Sequence, residues 1–85
     1  MRTDVLLERL QRGELANVPF ADLHKLVEAL GFQLDRVRGS HQVYRHAPLR
    51  LRIVLQSRRG EAKPYQLRQL MEMVRVYNLR LGETR

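Results

Sequence analysis

Three observations predict an α+β fold with a three-stranded antiparallel sheet and helices on one of its faces. Apolar residues recur at helical spacing over residues 21–30 and again over 64–77. Between these stretches the period falls to two, in three short runs broken by Gly39-Ser40 and by Ala47-Pro48. Elements segregated in this way pack helices against one sheet face and leave the other open.

Thr3 and Asp4 resemble a helix start, and Leu6, Leu7 and Leu10 give a short apolar stripe that ends at Arg12 and Gly13. This first helix is brief enough to read as an appendage. Residues 13–19 (GELANVP) form a connector that stops at proline. The second helix starts at Ala21 and carries Leu23, Leu26, Val27 and Leu30, with Phe20 before it as a staple. Gly31 sits where a left-handed cap ends a helix.

The first strand runs from Phe32 to Val37, with Phe32, Leu34 and Arg36 alternating against Gln33, Asp35 and Val37. Gly39-Ser40 makes the turn, and His41 to His46 form the second strand. Over residues 50–56, Leu51, Ile53 and Leu55 face one way and Arg50, Arg52, Val54 and Gln56 the other. Residues 57–63 read as a polar loop. Pro64 then suits the first turn of a last helix whose stripe is Leu67, Leu70, Met71, Val74 and Tyr77, ended by Asn78. Leu79-Arg80-Leu81 reads as a short extended tail.

At 85 residues the chain is expected to be one domain, with residues 1–18 as helix and connector and 19–81 as the core. It has no cysteine, which excludes disulfides and thiolate zinc sites. No apolar run reaches membrane-spanning length and no signal peptide is visible, so a cytoplasmic protein is expected. The net charge of +7 is segregated. Residues 1–35 hold four basic and six acidic side chains, and residues 36–85 hold twelve and three. A one-sided charge centred on a sheet is the footprint of a polyanion partner, either nucleic acid or an acidic protein.

Strand parity decides what the open face carries. The apolar set of the third strand must meet the helices, so Arg50 and Arg52 point to the open side. On the second strand, Tyr44 is expected inward beneath the last helix, which leaves His41 and Arg45 outward. The reversed parity would remove the site. His41 is the candidate for proton transfer, because histidine titrates nearest neutrality. Arg36, Arg38, Ser40, Arg45, Arg50 and Arg52 are candidate RNA contacts, since the guanidinium fork suits phosphate. Lys63, a cation at a helix start, is a weaker one. His46 reads as a strand-end polar residue and His24 as part of a solvated helix face. Tyr44, Tyr65 and Tyr77 read as core before stacking platforms. His41 and His46 fall on opposite faces and cannot ligate one metal, so no metal site is expected.

The run Phe32–His46 (FQLDRVRGSHQVYRH) resembles the HicA-like mRNA interferase toxins. Gly31-Phe32, Gly39-Ser40-His41, Tyr44 and Ala62-Lys63-Pro64-Tyr65, with Leu67, Arg68 and Leu70, stand at the corresponding places over roughly residues 20–80. The resemblance implies an αβββα fold like that of double-stranded RNA-binding domains, to which the N-terminal helix is additional. It also implies an mRNA endoribonuclease that needs no metal or other cofactor, with His41 as the catalytic histidine and a HicB-type antitoxin as partner. One departure is local. Many members carry a second histidine in a Pro-x-His setting after the third strand, where this chain reads Leu55-Gln56-Ser57-Arg58.

RNA cleavage without a metal requires a base for the 2′-hydroxyl, an acid for the leaving 5′-oxygen, and positive charge at the phosphorane. His41 would be the base, or the acid in the reversed assignment, with Arg45, Arg50 and Arg52 on the phosphate. Two other functions use the same basic face: a non-catalytic RNA-binding module, and an interaction module for an acidic protein.

Overall fold

The computed structural model describes residues 1–82. Its elements run α1 (Thr3–Gln11), α2 (Phe20–Ala29), β1 (Gln33–Arg38), β2 (His41–His46), β3 (Leu51–Arg58), β4 (Glu61–Ala62) and α3 (Pro64–Tyr77). The strands form one antiparallel sheet in the order β1-β2-β3-β4.

The sheet therefore has four strands where three were expected. The stretch read as a polar loop continues β3 to Arg58, turns at Arg59-Gly60 and returns as β4. Both turn residues have positive φ, 54° and 80°, as a two-residue hairpin whose twist matches its strands requires. Pairing with the connector holds β4 in place. The Ala62 N–H donates to the Val18 carbonyl at 2.8 Å, and the Phe20 N–H donates to the Gly60 carbonyl at 2.9 Å. Val18 is fully buried.

α1 is not an appendage. Leu6 and Leu10 are buried in the same apolar cluster as Leu23, Leu26 and Leu30 of the α2 segment and Leu67, Leu70 and Val74 of α3. α2 begins at Phe20, one residue earlier than the pattern predicts, and Phe20 is itself buried. The helix closes as expected at Gly31, whose φ is 103°. Its N–H donates to Glu28 O and that of Phe32 to Val27 O, the paired bonds of a Schellman cap. Asn78 caps α3 in the left-handed region, as its position predicts. The expected extended tail is absent: Leu79 returns to the core, and Gly82 donates to Ala29 O at 2.9 Å.

Tyr44 points inward, as expected, but its hydroxyl meets α2 rather than the last helix. It lies 2.8 Å from His24 Nδ1 and donates to Gln42 Oε1 at 2.8 Å. His24, read as a solvated residue, is half-buried on this contact, with its Nε2 3.3 Å from Glu28. Burial, reinforced by the Glu28 charge, pushes the Tyr44 phenol up to about 12. His46 is buried on the inner face, edge-on to Phe32 at 5.2 Å, and its Nδ1 accepts from the Leu49 N–H.

Candidate functional site

The open face is built from three cross-strand rows. His41 stands opposite both Arg38 of β1 and Gln56 of β3. Val43 stands between Arg36 and Val54, and Arg45 between Gln33 and Arg52. Directly paired residues share a sheet face, with Cβ atoms roughly 4.5–5.5 Å apart. Val43 is nearly buried in spite of its position, an apolar floor between longer polar side chains.

A bulge sets the β1 part of this arrangement. Leu34 pairs with Tyr44 and Arg36 with Val43, so Asp35 is an extra residue in the ladder. Without it, Leu34 and Arg36 would share a face, as strict alternation predicts. With it, Leu34 lies on the inner side with Tyr44, and Arg36 joins His41 and Arg45 on the open side. Leu34 and Val37 belong to the helix-facing side yet remain exposed on β1, the edge strand of the sheet.

At the Gly39-Ser40 end a polar chain passes through Gln56, the residue opposite His41. The Lys63 ammonium donates to Gln56 Oε1 at 2.7 Å, and Gln56 Nε2 donates to Ser40 Oγ at 3.1 Å. The Gln56 backbone N–H donates to Oε1 of Gln66 at 2.7 Å, and Gln66 is buried. The amide of Gln56 thus joins the β-hairpin turn to the start of α3. Gly39, with φ 59°, occupies the turn position that favours glycine and brings Ser40 and His41 round to meet β3. The His41 ring is exposed and makes no hydrogen bond or ion pair among the described residues.

The sequence-predicted residues do not form one cluster. Ser40, His41, Arg38 and Lys63 gather at one end of the open face. Arg36, Arg45, Arg50 and Arg52 line a cleft at the other end, beside the Ala47–Arg50 turn. Four residue steps of extended strand lead from His41 to Arg45, roughly 13 Å along the backbone. The arginines expected on the phosphate, Arg45, Arg50 and Arg52, therefore stand at the other end of β2 from His41, and Arg36 stands in the middle row. Arg50 also departs from expectation in conformation. It precedes β3 rather than belonging to it, with φ 56°, and its N–H donates to Ala47 O.

Two residues of the site escaped the sequence reading, Gln56 and Gln66. Gln66 falls inside a helix with no pattern to mark it. Gln56 had a signal: it lies in Leu55-Gln56-Ser57-Arg58, the stretch where the chain departs from the pattern it resembles.

Among the described residues, no helix is long and apolar enough to cross a membrane. Comparison with curated proteins and with solved structures returned no match. A family model, described as the HicA toxin of bacterial toxin–antitoxin systems, matches residues 20–75, the segment from the start of α2 to near the end of α3. That span includes both ends of the open face, and the chain belongs to the HicA toxin family.

Proposed function

We propose that this toxin is an mRNA endoribonuclease in which His41 moves the proton. The observation that carries the reading is the exposed, unpartnered imidazole at the head of β2, flanked by Arg38 and by the Ser40–Gln56–Lys63 chain. His41 would accept the proton of an RNA 2′-hydroxyl as its oxygen attacks the adjacent phosphorus. The bond to the 5′-oxygen breaks, and that oxygen takes a proton from the imidazolium or from water. The products are a 2′,3′-cyclic phosphate and a 5′-hydroxyl end. Arg38 and Lys63 are the cations close enough to offset the charge of the phosphorane, and Gln56 holds Lys63 in position. No step requires a metal ion. A HicB-type antitoxin with an acidic surface, laid over the same basic face, would block it.

A second reading, RNA binding without cleavage, has its own support. Among the described residues no carboxylate orients the His41 ring, and the amide of Gln56 cannot transfer a proton as a second histidine would. Incubation with a structured mRNA in EDTA, beside His41→Ala, separates the two. Since His41 is exposed and makes no hydrogen bond or ion pair among the described residues, the variant should keep its stability within about 0.5 kcal/mol. Cleavage by the wild type alone, leaving cyclic phosphate ends, supports the nuclease. Equal binding by both proteins with no cleavage by either transfers the function to RNA binding.

A further inference from the structure

We infer that Arg36, Arg45, Arg50 and Arg52 form a second, distal phosphate subsite, which holds the RNA backbone several nucleotides from the bond at His41. This inference rests on the RNA reading of the open face and adds to it a minimum substrate length. The four side chains line one cleft of about 560 Å³ at the far end of β2. Only one acidic residue, Asp35, shares that cleft, and it sits 3.8 Å from Arg36. Arg45, Arg50 and Arg52 make no ion pair among the described residues.

In the free protein this arrangement carries two costs. Arg45 and Arg52 are a direct cross-strand pair, and like charges in that position repel. Arg50 holds a left-handed backbone that side-chain-bearing residues rarely adopt, where glycine would fit without strain. Repulsion and strain gathered at one concave spot are offset when an anion with several oxygens enters, and phosphate matches the guanidinium fork.

Alignment favours nucleic acid over an acidic protein as the source of that anion. Arg45 of the cleft and His41 lie on one face of β2, roughly 13 Å apart along the backbone. That separation equals about four steps of a stacked strand at roughly 3.4 Å each, and fewer if the strand is extended. A single RNA backbone running along β2 would occupy both ends, with Val43 and Val54 as the floor between them.

The test is binding of oligouridylates, from dinucleotide to dodecamer, to wild type, Arg45→Gln/Arg52→Gln and Arg50→Gly, over a range of salt. Wild-type affinity should step up once the oligomer spans both ends. The double variant should lose the step and lower the salt slope by about 0.7 for each phosphate contact removed. Both variants should melt at higher temperature than wild type, which separates lost binding from lost folding. The subsite is overturned if the double variant keeps the step, or if it weakens dinucleotide and dodecamer binding equally. Loss of affinity for polyglutamate with unchanged oligouridylate binding would overturn it in favour of an acidic protein. Cleavage is scored separately on the same samples. A retained length step without cleavage sinks the nuclease and leaves the subsite standing, whereas cleavage with no length step does the reverse.

Discussion

Gln56 faces His41 directly across the β2–β3 ladder, and its side-chain amide joins Ser40 to Lys63. One neutral residue thereby ties together the turn that presents the histidine and the cation that precedes α3. An amide does this well because it donates and accepts at once, the donor serving Ser40 and the acceptor serving Lys63.

Replacing Gln56 with alanine should free the Lys63 ammonium from the site while leaving His41 in place. The expected effect is a fall in RNA cleavage of about tenfold, the equivalent of one hydrogen bond to a charged group. Gln56→His should act in the opposite direction, since it supplies a second titrating group opposite the first. A rise on the order of 10–100-fold is expected, within what positioned acid–base help contributes. Single-turnover rates on one RNA would check both, and a histidine variant no faster than the alanine variant refutes the assignment.

Gln66 is buried with its carbonyl on the Gln56 N–H. Gln66→Leu keeps much of the volume but leaves that N–H without its acceptor, at a cost of about 1–3 kcal/mol. Urea midpoints at unchanged slope measure it. A variant as stable as wild type would mean that water reaches the N–H and that the contact is dispensable.

Tyr44 links stability to alkaline pH. Burial raises its folded phenol to about 12 from an ordinary 10, so the unfolded chain loses this proton first. The contribution is complete below pH 10 and disappears as pH climbs through 12, to a total of about 2–3 kcal/mol. Tyr44→Phe cannot titrate, although it forfeits the bonds to His24 and Gln42. The stability gap between the two proteins should shrink from pH 9 to pH 12. Parallel curves would remove Tyr44 as the cause.

Leu6 is fully buried on α1, so its truncation to alanine should cost about 2–5 kcal/mol, a large part of the stability of a domain this small. An appended helix would lose no more than its own helicity, with the urea midpoint of the rest unchanged. Chemical unfolding followed at a core tyrosine distinguishes the two.

Much of this molecule was legible along the chain. The helix ends at Gly31 and Asn78, the Gly39-Ser40 turn, the inward Tyr44 and the outward His41 all follow from period, glycine chemistry and parity. These depend on residues close in sequence, whose backbone preferences act locally. β4 was hidden because a two-residue strand has no periodicity to read, and it exists through its bonds to Val18 and Gly60.

The sequence by itself determined the α+β class, the candidate histidine and the basic surface around it. Only the tertiary structure decided that this surface has two ends. The bulge at Asp35 turns Arg36 outward, the strand rise separates His41 from the Arg45–Arg52 pair, and the β2–β3 register puts Gln56 opposite His41. Register and bulges are set by which strands pair and where the helices press on them. That is a contest of distant residues for one buried face, and no local pattern records its outcome.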